Sequence, residues 1–202
     1  MTDKLIFTTA DRSFQLVASY LMALTGIVSA IEIYSSGQQG AKPWPEEDTV
    51  VLDALACDRR LTWRPHSLVM ALVKNQWPSQ ISFEVEEVAP ASVSSIQLGV
   101  LDTFLYGLSQ SLLTNLFEQE RGRLESLHGR APSGWPPVWN FGRVVRNAMS
   151  HGGEVTIKDD KTHVSWKRLT YSRAENGRRI VNVDLWPGDL FILIREMEDV
   201  LP

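Results

Sequence analysis

One cysteine, Cys57, is all the thiol the 202 residues contain. This excludes an intramolecular disulfide and a cysteine-rich metal site, and it leaves a buried apolar thiol as the expected role. Basic charge is also scarce. Twenty Lys and Arg stand against 24 Asp and Glu, a formal net charge of −4, so the chain cannot coat nucleic acid through overall charge. A contact with RNA or DNA must rest on a local patch. Residues 121–146 offer one, with Arg121, Arg123, Arg130, Arg143 and Arg146 against Glu120 and Glu125 at one end. There is no glycine-rich phosphate loop, no internal repeat and no low-complexity stretch. His66, His128 and His163 are dispersed, and none has a second donor at metal-ligand spacing, so neither a metal nor another cofactor is expected. The first residues, Met1 to Phe7, lack the charged-then-apolar layout of a signal peptide, and a cytoplasmic location is the expectation.

Residues 14–31 carry no charge, which raises the question of a membrane span. Gln15, Ser19, Thr25 and Ser29 interrupt the run, and no basic cluster flanks it. Ser19, Ala23, Gly26 and Ala30 recur at helical spacing, making a smooth stripe that lets another helix approach. A buried core or dimer helix is therefore expected, with no membrane contact.

The pattern of apolar residues and breakers predicts mostly helices. A first helix spans 11–36 with Gly37 as its stop, and a loop follows over 38–45. Glu46, Glu47 and Asp48 open a second helix whose apolar face is Val50, Val51, Ala54 and Leu55. A third covers 65–75. Residues 81–86 alternate as one weak strand, and 89–92 form a loop. Ser94 or Ser95 caps a long helix reaching His128, with Leu105, Leu108, Leu112 and Leu116 on its buried stripe. Pro136 and Pro137 start the next helix, which runs to His151. Three strands are expected at 155–157, 164–166 and 180–185, and a last helix follows Pro187. The expected fold class is mainly α: a single domain over 1–202, an antiparallel helical bundle at 10–152, then a small antiparallel sheet inserted before the C-terminal helix in 153–202.

The stretch from Phe141 to Gly153 carries the most chemistry. Residues three and four apart share a helix face, so Arg143, Arg146, Asn147, Ser150 and His151 form a polar stripe opposite Val144, Val145, Ala148 and Met149. Arginine grips phosphate through a planar fork of donors, and histidine moves protons near neutral pH. The plain alternatives are a histidine that caps a helix dipole, an Arg143 that makes a surface ion pair and a Ser150 that merely ends the helix. Trp135 and Trp139 flank this helix as packing anchors or, less simply, as stacking platforms for a base.

Arg146 followed by Asn147, three intervening residues and His151 resembles the signature of the HEPN superfamily (higher eukaryotes and prokaryotes nucleotide-binding domain). The segment after Gly153, with Trp186-Pro187-Gly188-Asp189-Leu190, looks like an elaboration seen in some plasmid- and mobile-element-borne members. The resemblance implies a HEPN-like bundle and a metal-independent endoribonuclease with catalytic Arg146, Asn147 and His151. Arg143 and Ser150 would bind substrate. It further implies RNA as substrate, a homodimer that brings two motifs to one cleft, and a defence, stress or toxin–antitoxin setting with an antitoxin or other protein partner. A non-catalytic module that holds RNA, a nucleotide or a protein on the same face is the alternative, and a purely structural dimerisation protein is the third reading.

Overall fold

The computed structural model describes residues 3–36, 44–89 and 100–201. Four strands form one sheet: β1 (Asp3–Thr8), β2 (Val50–Ala54), β3 (Arg59–Trp63) and β4 (Gln80–Glu87), in the order β1-β4-β3-β2 with every pair antiparallel. Helix α1 (Phe14–Ser36) lies between β1 and β2 in the chain, and α2 (His66–Val73) between β3 and β4. Then come α3 (Val100–His128), α4 (Pro137–Ser150), a hairpin of β5 (Val164–Trp166) and β6 (Leu169–Tyr171), and α5 (Pro187–Asp199). The chain is thus a mixed α/β fold, which corrects the expectation of a mainly α, HEPN-like helical bundle.

The correction has a local cause. Residues 46–61 read as a helix because Val50, Val51, Ala54 and Leu55 repeat at helical spacing. The alternation that decides the matter is Leu52 and Ala54 buried on β2, and Leu61 and Trp63 buried on β3. These line one sheet face with Phe7, Ile81 and Phe83, as the register Phe7↔Ile81, Leu52↔Leu61 and Trp63↔Phe83 requires. A 3-10 turn at Leu55–Cys57 and Asp58 at φ 52° reverse the chain between them. On the outer face, Arg60 meets Asp53 at 2.8 Å and Arg64 meets Glu84 at 3.7 Å. The three strands expected near the C-terminus reduce to the β5–β6 hairpin. Residues 155–157 stay extended without joining a sheet, and 180–185 fold into a turn with Asn182 at φ 58°. The expected helix start at Ser94 or Ser95, and the larger parts of the loops at 38–45 and 89–92, lie outside the described residues.

Helix α5 joins the two halves. Phe191 is fully buried between Tyr20 of α1 and Phe83 of β4, with ring centroids 5.2 and 5.1 Å away. On its other side, Trp139 of α4 donates its indole N–H to the Met197 carbonyl at 2.8 Å. At its start, Gly188 presses on the β2 backbone, where a Cβ would sit 2.7 Å from the Asp53 carbonyl oxygen. The fully buried Asp189 carboxylate accepts the Cys57 N–H at 3.1 Å and the Trp186 N–H at 3.0 Å. Burial pushes its carboxyl up to about 6, although those backbone donors pull the other way. The first half of α1 contributes Phe14, Val17, Leu21 and Leu24 to the core, and further along Ile31 is exposed. Phe14–Ile33 is long and apolar enough to cross a membrane, and 33% of that stretch is buried in the fold.

Two outcomes follow for stability. Gly188→Ala forces a Cβ into rigid backbone and should cost about 2–3 kcal/mol. Gly142→Ala meets only the flexible Met197 thioether, 2.8 Å away at Sδ, and should cost less than about 1 kcal/mol after the gain in helix propensity. Urea midpoints of the two variants measure the contrast. The second outcome concerns pH. Folded Asp189 keeps its proton to about 6, whereas an aspartate at its ordinary value of 3.8 has lost it. The folded state therefore binds more protons in that window, so Asp189 stabilises most below 3.8 and loses that contribution as pH rises through 6. Measured by urea unfolding at both pH values, Asp189→Asn should gain on wild type by on the order of 2 kcal/mol between about pH 4.5 and pH 7.5.

Candidate functional site

Pro137 fits the first turn of α4, whose own N–H would have no helical acceptor. The helix buries Trp139, Phe141, Val144, Val145, Ala148 and Met149. Its opposite face carries Asn140, Arg143, Asn147 and, just past the end, His151. Gly152 and Gly153 at φ 83° and 87° then turn the chain away, a conformation side chains with a Cβ rarely take. Helix α3 fixes this end. Tyr106 donates its hydroxyl, and Gln110 its side-chain amide at 2.8 Å, to the Met149 carbonyl, while Gly153 lies against the Tyr106 ring. The exposed His151 thus leaves from an anchored helix terminus.

The chain that follows returns along α4 and makes a facing wall. Val155 and Ile157 are buried. The Ile157 N–H donates to the Asn176 side-chain oxygen at 2.8 Å, and the Asn176 amide donates back to the Ile157 carbonyl at 3.0 Å. Alternation then turns Thr156 and Lys158 toward α4. A tight turn follows, in which the Asp159 side chain accepts the Lys161 N–H at 3.0 Å. Between helix and wall run two adjoining clefts of about 370 and 570 Å³. The first is lined by Arg143, Asn147, His151, Thr156 and Lys158, and the second by Asn140, Arg143, Lys161 and His163, with Asp159 and Thr162 shared. Each is large enough for part of a nucleotide.

Arg143 is the distinctive member. It lines both clefts, its Nε is sealed from solvent without a hydrogen bond, and it makes no ion pair among the described residues. Burial without a countercharge pushes its pKa below the ordinary arginine value. Lys158, Lys161, His151 and His163 also make no side-chain ion pair among the described residues. Arg143, Lys158 and Lys161 thus set three cations against the Asp159 carboxylate on a chain that is acidic overall.

Arg146 sits elsewhere. It lies on the flank toward α3, paired with Glu118, 3.3 Å from the Asn147 side-chain oxygen and 5.9 Å above the Phe117 ring. Arg146 and Ser150 line neither cleft. Ser150 donates its hydroxyl to the Arg146 carbonyl at 3.1 Å. The fold therefore brings Arg143, Asn147 and His151 to one cleft, and Arg146 stands behind it, donating to the Asn147 side-chain oxygen while it pairs with Glu118. Within the basic segment 121–146, Glu125 approaches both Arg121 and Arg130. Trp135 and Trp139 are buried, and their indole N–H groups bond the Gly129 and Met197 carbonyls, so neither offers a stacking face. Sequence reasoning missed Asn140, Thr156, Lys158, Lys161 and His163. The readable signal was the buried alternation of Val155 and Ile157, which turns the intervening polar residues the other way. Among the described residues, no cluster of three His, Cys, Asp or Glu could hold a metal ion.

No protein-family model matches this chain, and no curated protein or solved structure does so either.

An arginine desolvated without an anion weakens the fold that holds it. Arg143→Met keeps the stem packing and removes the buried charge, so it should leave stability unchanged or raise it by up to about 1 kcal/mol. Urea unfolding tests this, and a large loss would assign Arg143 a structural role.

Proposed function

We propose that the α4 groove binds the phosphate backbone of RNA and that the chain is a metal-independent endoribonuclease. The observation that carries this reading is Arg143: a half-buried guanidinium without an anionic partner, flanked by unpaired cations in a groove that also holds an imidazole. A phosphate supplies the missing charge, and arginine's donors suit its oxygens. Cleavage then uses the substrate's 2′-oxygen, which bonds to phosphorus as the bond to the 5′-oxygen breaks. His151 moves the proton at one of these two oxygens, Asn147 lies one turn away on the same face to orient it, and Arg143 stabilises charge on the developing phosphorane. Arg143 lines the cleft itself, while Arg146, the arginine of the HEPN-like motif, donates to Asn147 at 3.3 Å beside its pair with Glu118. The resemblance supports this reading through the motif alone. A second histidine from a dimer partner would serve the other oxygen, and cytoplasmic RNA in a defence, stress or toxin–antitoxin setting would be the substrate pool.

A non-catalytic RNA-binding module is the second reading. It is favoured by His151 itself, whose ring accepts no orienting hydrogen bond among the described residues.

The test is RNA cleavage in excess chelator. Products should carry 2′,3′-cyclic phosphate and 5′-hydroxyl ends, and DNA, which has no 2′-nucleophile, should survive. His151→Ala should slow cleavage about 10²–10⁴-fold with binding retained. Arg143→Ala should weaken both binding and cleavage, and more than Arg146→Ala does. Full activity in His151→Ala rejects the mechanism, and RNA binding with no cleavage selects the module.

A further inference from the structure

The groove is longer than one phosphate requires. From Asn140 to His151 it follows α4 for about 16 Å. If the reading above holds, the phosphate at His151 occupies only the first cleft. We propose that the second cleft is a separate phosphate subsite, formed by Lys161 and His163 with Arg143 shared between the two, and that it takes the neighbouring phosphate of the same sugar–phosphate chain.

Several independent features support a built subsite rather than incidental surface charge. Asp159 is the carboxylate that lines both clefts, and the adjacent Asp160 is drawn off by Arg173 through two contacts at 2.8 and 2.9 Å, which leaves one acid against Arg143, Lys158 and Lys161. Asp159 is turned to the Lys161 backbone N–H. Arg143 borders both clefts, so its guanidinium can face two phosphates. Asn140 spends its amide N–H groups on the Pro132 and Trp135 carbonyls at 2.6 and 3.3 Å, which leaves its side-chain oxygen free to accept. An acceptor beside a cluster of cations matches a ligand with a hydroxyl next to its phosphate, as a ribose phosphate has. A free inorganic anion would use the cations and leave Asn140 idle.

The probe is a dinucleotide, UpU, made non-cleavable by a 2′-fluorine on its first sugar only so that the second keeps its 2′-hydroxyl, compared with its terminally bisphosphorylated form, pUpUp, by calorimetric titration at constant ionic strength. Terminal phosphates should tighten binding to the wild type about tenfold, a difference of about 1.4 kcal/mol. In the double variant Lys161→Ala/His163→Ala the gain should fall below about twofold. Both side chains are exposed, so the variant should fold. Lys158→Ala, in the first cleft, should weaken both ligands and keep the gain, which separates a subsite from diffuse attraction. A gain undiminished in the double variant, or UpU binding with no gain in the wild type, overturns the second subsite and leaves the first reading standing. Failure of the wild type to bind either ligand overturns the reading on which the subsite rests, and the subsite with it.

Discussion

The buried carboxylate of Asp189 is the contact on which both halves of the molecule depend. It accepts the N–H of Cys57 from the turn between β2 and β3 and the N–H of Trp186 at the start of α5. This fixes where α5 enters, close enough to β2 that only glycine fits at position 188. From that entry point Phe191 reaches the sheet and α1, and Met197 reaches α4. Sheet, α1 and α4 are thus indexed to one helix. Polar contacts at its far end complete the fixation: Glu198 accepts from the Ser13 N–H at 2.8 Å and Arg195 pairs with Asp11 at 2.8 Å. Neighbouring Arg12 pairs with the buried Glu120 at 2.5 Å, which ties in α3.

The groove is a product of that frame. Helix α4 has one wholly apolar face because α3, α5 and the β5–β6 hairpin need it. What remains is a narrow polar strip, and the chain leaving α4 can only return alongside it. The Met149 carbonyl, held by Tyr106 and Gln110, sets the angle of departure. Arg143, Lys158 and Lys161 then face one groove acid, Asp159, while Asp160 pairs with Arg173 and Asp184 with Arg178.

Much of the helical content was legible in the sequence, since α3, α4 and α5 each show a periodic apolar face, and α4 and α5 a proline at their start as well. The sheet was not. Val50, Val51, Ala54 and Leu55 satisfy a helical repeat as well as Leu52 and Ala54 satisfy a strand repeat, and only the partner strand β3 decides between them. β1 was missed because an edge strand with a single fully buried residue, Phe7, leaves little periodic trace. At the site, the stripe Arg143, Asn147 and His151 was readable because helix geometry is local. The pairing of Arg146 with Glu118 was not, because that partner lies one helix away. The wall residues Lys158, Lys161 and His163 gain meaning only once the chain folds back on α4.

The position of α5 in chain order also governs how the molecule is made. Every strand of the four-stranded sheet, and α4 as well, precedes the helix that covers them. During synthesis each of these surfaces waits with its apolar face open until α5 leaves the ribosome, and contacts between distant parts of a chain form slowly. The groove along α4 gains its full support from α5 only in that same last step.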